Sequence, residues 1–172
     1  AYMDKDWKVT TSYVHYDGYA TGVGEMLLEN YNSDERAREL ATTLGYASAL
    51  SETVEKSQAG RANIDEPEVY ENYLEFEEYI MENSGLEYVY VWNESEHKWQ
   101  VASWTHTKKK FNNGICNDFE FVSDWNGFEN LVEVFVREGY ETVKRYRKLA
   151  AGEEPNGGAA NDYTSYADEL DV

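Results

Sequence analysis

The chain has 172 residues, of which 41% are hydrophobic, and its formal net charge at pH 7 is −19. This length suits one domain that buries its own core, and the single cysteine, Cys116, excludes a fold held together by internal disulfides. No apolar run reaches the roughly 18 residues of a transmembrane helix, and the first residues lack the pattern of a secretory signal. We therefore expect a cytoplasmic protein without a membrane span.

The predicted elements begin with a strand over residues 7–16, in which β-forming side chains alternate until the turn signal Asp17-Gly18. Residues 25–31 predict a short apolar helix or turn. The next helix is predicted to begin after the capping residue Ser33 and to end at Gly45. Serine accepts a hydrogen bond from the first helical turn, and glycine tolerates the backbone conformation that terminates a helix.

The third predicted helix starts at Pro67, which is tolerated at the first helical position, and ends at Gly85. Apolar residues at spacings of four, three and four predict the face that packs on the core: Val69, Tyr73, Phe76 and Ile80. Glutamates with the same spacings are predicted to form a second stripe on another face of this helix, which we call the acidic face: Glu71, Glu75, Glu78 and Glu82.

A β-hairpin is predicted next, because Leu86–Trp92 and Lys98–Trp104 both alternate and the polar loop Asn93–His97 between them is short. Residues 111–122 predict a further strand. Residues 127–149 predict the last helix, which contains Gly139 and turns these side chains inward: Phe128, Leu131, Val132, Phe135, Val136 and Val143.

Together these elements predict a single α+β domain over residues 1–150. Its antiparallel sheet is expected to combine the first strand with the central hairpin. Two or three longer helices pack this sheet, chiefly those that begin near Pro67 and Asn126. Residues 151–172 offer little apolar surface to bury, so they predict a disordered acidic tail.

Two segments resemble sequences of small, uncharacterised acidic proteins that tailed phages and some bacteria carry. The first is YVHYDGYATGVGEMLLENY at Tyr13–Tyr31, with an aromatic–His–aromatic–Asp–Gly–Tyr turn followed by a Leu-Leu segment. The second is the hairpin sequence at Glu87–Val101, of the form EYxYxW followed by KWxV. The resemblance implies a phage accessory protein that acts in the host cytoplasm, and it implies no particular activity.

The acidic charge is concentrated in the middle of the chain and at its end. Residues 62–96 contain eleven acidic and no basic side chains, and residues 153–172 contain six acidic and no basic ones. Such a field opposes direct nucleic-acid binding, because lysine and arginine provide the contacts to the phosphate backbone. Solubility, a high-salt environment and recognition of a basic partner each explain this charge.

The acidic face suggests a partner. Glutamates three and four residues apart on a helix lie roughly 5–6 Å from one another, a spacing similar to that of backbone phosphates. The leading hypothesis is a non-enzymatic interaction protein that engages a basic surface of a host protein. Its narrower form is nucleic-acid mimicry, in which the partner is a nucleic-acid-binding protein. A solvated helix face explains the same pattern. A virion or structural accessory protein that self-associates is a further alternative.

His15, Asp17 and Tyr19 form the other candidate site, because they lie where a strand meets a turn. A carboxylate or phenol next to His15 could orient its imidazole as a general base, which would suit a small-ligand binder or a hydrolase. The alternative is that these residues only build a tight turn.

The sequence indicates no cofactor and no metal site. Its three histidines and one cysteine are widely spaced, no calcium-loop pattern of carboxylates occurs, and Gly18, Gly22 and Gly24 do not match the phosphate-binding or dinucleotide-binding glycine patterns. Cys116 predicts a small buried thiol rather than a nucleophile. We therefore expect no enzymatic activity.

Overall fold

The computed structural model describes residues 1–83, 85–110, 119–125 and 127–150. The chain divides into two compact units, Ala1–Leu131 and Val132–Val172. The predicted tail, residues 151–172, lies outside the described residues, as does Cys116. Within the described part of the chain, no helix is long and apolar enough to cross a membrane.

Nine strands and five α-helices occur along the described residues. The strands are β1 (Tyr2–Met3), β2 (Val9–Thr11), β3 (Tyr13–Val14), β4 (Tyr46–Ala47), β5 (Glu68–Tyr70), β6 (Tyr88–Asn93), β7 (Lys98–Lys110), β8 (Phe119–Trp125) and β9 (Glu129–Asn130). The helices are α1 (Glu25–Asn30), α2 (Asp34–Thr43), α3 (Val54–Ser57), α4 (Tyr73–Glu82) and α5 (Leu131–Ala150), and a π-helical turn, Ala20–Gly24, leads into α1.

The main sheet has the strand order β5-β2-β1-β6-β7-β8, and β9 pairs with β7. β1 runs parallel to β6, with Tyr2 opposite Trp92, whereas the other described pairings of this sheet are antiparallel. The α+β prediction is confirmed, and the sheet is mixed rather than wholly antiparallel. β1 itself was not predicted, because a strand of two residues is too short for alternation to be recognised.

The predicted strand over residues 7–16 is divided between two sheets. β2 pairs with β1 and β5 in the main sheet, whereas β3 pairs with β4 in a separate parallel pair. Ser12 lies between them, and its hydroxyl donates to the Ala41 carbonyl at 2.9 Å and accepts from the Gly45 amide at 3.0 Å. These bonds to the end of α2 redirect the chain away from the main sheet, and alternation alone could not reveal this bend.

The hairpin prediction is confirmed. β6 and β7 pair antiparallel from Tyr88 opposite Ser103 to Asn93 opposite Lys98. The Asn93 side-chain oxygen accepts from the amides of Ser95 and Glu96, at 3.0 and 3.3 Å, and thereby closes the loop. Residues 119–122 of the next predicted strand belong to β8, and residues 111–118 lie outside the described residues.

The predicted start of the third helix at Pro67 is wrong. Glu68–Tyr70 forms β5, which pairs with β2 at the edge of the main sheet, and α4 begins only at Tyr73. The side chain of Asn72 caps this helix by accepting from the Glu75 amide. Val69 was predicted to lie in the core, but its side chain is 52% exposed, because in a strand it points away from that core. Pairing with β2 provides hydrogen-bond partners for the backbone of β5. The spacing of apolar side chains contains no information about such a partner strand.

The last helix begins at Leu131, four residues later than predicted, because Glu129 and Asn130 pair with β7. Gly139 lies within the helix, as predicted. Leu131 and Val134 are buried, whereas Val132 and Val136 are 52% and 55% exposed, so the inward orientation predicted for these two valines is wrong. The buried side of the helix therefore includes Leu131 and Val134 and is rotated about the helix axis from the side predicted to face inward.

One buried cluster of the Ala1–Leu131 unit involves the sheet and α4. It consists of Met3, Val9, Phe76, Ile80, Val89 and Val91, with Tyr73 and Phe128 packed against it. Other fully buried side chains of this unit lie outside this cluster, among them Tyr31, Leu44 and Trp92. α2 is capped by Ser33, whose hydroxyl accepts from the Arg36 amide, and Gly45 follows the helix with a φ of +65°. Both predicted ends of α2 are confirmed.

Candidate functional site

A cleft of about 830 Å³ opens in the Ala1–Leu131 unit. Seven tyrosines line it: Tyr13, Tyr16, Tyr19, Tyr46, Tyr79, Tyr88 and Tyr90. Five carboxylates line it as well: Asp17, Asp65, Glu66, Glu68 and Glu87. No lysine or arginine is found among the described residues of this lining. The cleft therefore combines aromatic surface with negative charge.

The turn at residues 15–19 forms one wall of the cleft, and a glycine makes its tight geometry possible. Asp17 adopts a left-handed conformation, with a φ of 60°, which aspartate tolerates better than most residues. Its carbonyl accepts from the Val23 amide at 2.8 Å, which ties the turn to the π-helical segment. A Cβ on Gly22 would lie 2.4 Å from this carbonyl, so the turn requires glycine there.

Two phenols hold the same turn in place. The Tyr90 hydroxyl donates to the Gly18 carbonyl at 2.6 Å and thereby ties the turn to β6. The Tyr19 hydroxyl donates to Asp17 Oδ1 at 3.2 Å. Asp17 and Gly18 themselves are in irregular backbone between bends at Tyr16 and Tyr19, and these hydrogen bonds hold the segment in place.

Four rings along the cleft form what we call the aromatic row: Tyr46, Tyr13, His15 and Tyr16. Tyr13 lies opposite Tyr46 in the β3–β4 pair, and their rings stack with centroids 5.6 Å apart at 24°. The Tyr13 and His15 centroids are 6.2 Å apart, and His15 meets Tyr16 edge-on at 4.4 Å. Parallel strand pairing therefore places the first two rings, and the turn places the others.

An arginine of the same chain lies at one end of this row. The Arg61 guanidinium carbon is 4.1 Å from the Tyr46 ring centroid, and its Nη2 donates to Asp65 Oδ2 at 2.8 Å. The backbone of Asp65 is held close to Gly45, where an added Cβ would lie 1.7 Å from the Asp65 carbonyl oxygen. Gly45 thus lets residues 61–65 approach the row.

The carboxylates of the cleft are mostly unpaired. Among described residues, only Asp65 of the five forms an ion pair, and its partner is Arg61. Glu68 accepts a hydrogen bond from the Tyr70 hydroxyl at 2.8 Å. Burial and this contact with Glu68 raise the pKa of the Tyr70 phenol well above its usual range. Because four of the five carboxylates form no ion pair among the described residues, the negative charge of the cleft is largely uncompensated.

The structure brings His15, Asp17 and Tyr19 together on this cleft, as the second candidate site requires. The His15 imidazole makes ring contacts with Tyr13 and Tyr16, but no hydrogen bond between described residues involves it. Asp17 instead accepts from Tyr19. Among the described residues, therefore, neither Asp17 nor Tyr19 orients the His15 imidazole through a hydrogen bond.

The acidic face does not form as one helical stripe. Glu71 precedes α4, and its carboxylate lies 3.6 Å from the Lys8 ammonium. Glu75 accepts from the Glu71 amide and from the Asn72 side chain, so it helps to cap the helix. Glu78 and Glu82 lie on α4 with exposed side chains. Sequence analysis identified Asp17 but missed the other four carboxylates of the cleft, for which the acidic run at residues 62–96 was the one available signal.

Neither a metal site nor a known relative adds to this description. In residues 1–83 and the other described segments, no group of three or more histidine, cysteine, aspartate or glutamate side chains could hold a metal ion. No protein-family model, curated protein or solved structure matches the chain.

Proposed function

We propose that this chain is a non-enzymatic interaction protein that engages a basic surface of another protein through the tyrosine-lined acidic cleft. One observation carries the proposal: seven tyrosines and five carboxylates line the same cleft, and its described lining has no lysine or arginine. This combination suits a cationic side chain, because tyrosine faces attract cations and carboxylates provide complementary charge.

The exposure of the rings supports binding from outside. Tyr16 and Tyr19 are 59% and 46% exposed, and Tyr13 is 40% exposed. Tyrosine offers a large, rigid contact area at a small cost in conformational entropy, and tyrosine is enriched among residues that dominate binding energies. Exposed tyrosines beside unpaired carboxylates are therefore expected to bind a basic, partly apolar segment.

The host protein and the nucleic-acid mimicry predicted from sequence are narrower forms of this proposal. A phage accessory protein, as the resemblance implies, would find its partner among basic proteins of the host cytoplasm. Mimicry by the acidic face has less support, because α4 carries three of the four predicted glutamates and one of these caps the helix. The cleft is the better candidate for the contact.

The test is fluorescence anisotropy with a labelled peptide in which lysine and arginine alternate with glycine. A peptide of the same length with glutamine at the basic positions serves as the ligand control. We expect the basic peptide to bind and its affinity to fall steeply as salt rises, because exposed charges are screened over about 10 Å at 0.1 M ionic strength. Equal binding of both peptides would refute the proposal.

Two double variants locate the contact. Glu66→Gln with Glu87→Gln removes two cleft carboxylates, and Glu78→Gln with Glu82→Gln removes two exposed carboxylates of α4. Both variants change the net charge equally, so a difference between them reports position. We expect the cleft variant to weaken peptide binding about tenfold, or ~1.4 kcal/mol, and the α4 variant to change it less than about threefold. The reverse order would assign the contact to the acidic face.

A further inference from the structure

We infer that the Tyr46–Asp65 edge of the cleft selects arginine over lysine, and that Arg61, which is not itself a lining residue, occupies this position in the unbound protein. This inference rests on the proposed function and specifies the chemical group that the partner supplies. It is carried by the guanidinium of Arg61, which lies between a lining tyrosine and a lining carboxylate.

The contacts of Arg61 define what such a position recognises. Its guanidinium carbon lies 4.1 Å from the Tyr46 centroid, and its Nη2 binds Asp65 Oδ2 at 2.8 Å. A guanidinium is planar, so it stacks on a ring while its edge donates to a carboxylate. A lysine ammonium is compact and strongly hydrated, and it gains less from an aromatic face. The site is therefore built for a guanidinium.

The aromatic row extends the same recognition along the cleft. Tyr46 stacks on Tyr13 at 5.6 Å, and the row continues through His15 to Tyr16, which is 59% exposed. A planar cation at Tyr46 thus lies at the end of a row of four rings, of which Tyr46 and Tyr13 are stacked and the others meet at steeper angles. Further arginines of a partner would find exposed ring faces along this row.

Arg61 can leave this position at small cost. Its ion pair with Asp65 is only partly buried, with side-chain accessibilities of 26% for Arg61 and 59% for Asp65, and ion pairs near the surface contribute little to stability. Gly60 precedes it with a φ of +81° and no neighbouring atom within 4 Å of its Cβ position. Asn63 and Ile64 are exposed as well. An incoming arginine would replace one cation–π contact and one ion pair by equivalent ones.

The experiment compares two labelled peptides of equal length and charge, one with arginine and one with lysine at the basic positions, alternating with glycine. They are titrated against the parent, Arg61→Gln and the charge-matched control Lys5→Gln, whose exposed position lies outside the cleft. We expect the parent to bind the arginine peptide about fivefold more tightly than the lysine peptide, which corresponds to ~1 kcal/mol. Arg61→Gln is expected to tighten arginine-peptide binding about threefold beyond the effect of Lys5→Gln.

Tyr46→Leu and Tyr46→Phe provide a second readout in case the Arg61 variant is perturbed. We expect Tyr46→Phe to retain the preference for arginine, because the ring is kept, and Tyr46→Leu to lose it. Equal binding of the two peptides to the parent would overturn the arginine selection and leave the proposed function intact. Weaker arginine-peptide binding by Arg61→Gln would overturn the role of Arg61. Binding of neither peptide would overturn the proposed function itself.

Discussion

The cleft and the exposed side of α4 both carry several carboxylates, yet they differ in what surrounds those charges. On α4, Glu78 and Glu82 point into solvent, and Glu75 is used to cap the helix. In the cleft, the carboxylates lie beside tyrosine rings, and one of them already holds a guanidinium. A charge next to an aromatic face has a chemically defined ligand, whereas a solvated charge contributes mainly to the overall field. The number of carboxylates in a region therefore does not by itself indicate its function.

The largest effect is expected at Gly45, because the geometry of the cleft depends on a close backbone approach there. Gly45→Ala combines a left-handed φ with a Cβ 1.7 Å from the Asp65 carbonyl, so it is expected to cost about 3 kcal/mol of unfolding free energy. Gly60→Ala is the matched control, since Gly60 has a φ of +81° with open space around it, and about 1 kcal/mol is expected. Urea denaturation measures both. Equal losses of unfolding free energy in the two variants would show that the backbone at Asp65 shifts at little cost to make room for the added Cβ.

Asp34 is expected to contribute to stability through its hydrogen bonds, unlike the solvated carboxylates of α4 and the largely unpaired ones of the cleft. Asp34 begins α2 and accepts from the Trp92 indole at 2.7 Å, and its other oxygen lies 2.8 Å from His97 Nδ1. Partial burial acts to raise the pKa of the Asp34 carboxyl, but the hydrogen bonds from Trp92 and His97 outweigh it and hold the pKa below its usual range. Asp34→Asn is therefore expected to destabilise the protein by roughly 1 kcal/mol at neutral pH, a value reduced for the partial exposure of this side chain.

The sign of the pH dependence follows from the lowered pKa. The charged form is favoured in the folded protein, so the stabilisation is complete above the unfolded value of 3.8 and disappears as the pH falls through the folded pKa. Unfolding free energies of the parent and Asp34→Asn should therefore converge as the pH falls below 3.8 and through the lowered pKa of the folded protein. A gap that persists at the lowest pH where both remain folded would contradict this assignment.

Within the acidic face, stability measurements can distinguish the capping residue Glu75 from the solvated residue Glu78. Glu75→Ala removes the acceptor for the Glu71 amide and the Asn72 side chain, so it is expected to lower the unfolding free energy by about 0.5–1 kcal/mol. Glu78→Ala removes a solvated charge with no such contact and should leave stability within about 0.3 kcal/mol. Thermal unfolding of the two variants decides the matter, and identical melting temperatures would argue against the capping role.

The smallest effect is expected at His15, where a binding cleft and a catalytic one make opposite predictions. His15→Gln removes ring contacts with Tyr13 and Tyr16, so we expect peptide affinity to change by about twofold or less. Melting temperature serves as the control for folding. Complete loss of biological activity, with peptide binding and stability unchanged, would support the hydrolase hypothesis instead.

Local signals in the sequence were sufficient for elements whose hydrogen bonds join near neighbours. Ser33 caps α2 through an amide three residues away, Gly45 follows that helix, and the hairpin pairs strands that are adjacent in the chain. Such features depend on a few residues and their immediate neighbours, so residue type and spacing determine them.

Features that depend on remote partners were decided by the tertiary structure alone. The residues after Pro67 match a helical pattern, yet they form β5, because β2 offers unpaired backbone groups that a strand can satisfy. The cleft likewise draws on residues 13–19, 45–46, 65–68 and 87–90. Parallel pairing of β3 with β4 and the approach of Asp65 to Gly45 bring these segments together. The sequence by itself determined an acidic, tyrosine-rich α+β chain, but which carboxylates face which rings depends on contacts between residues far apart in the chain.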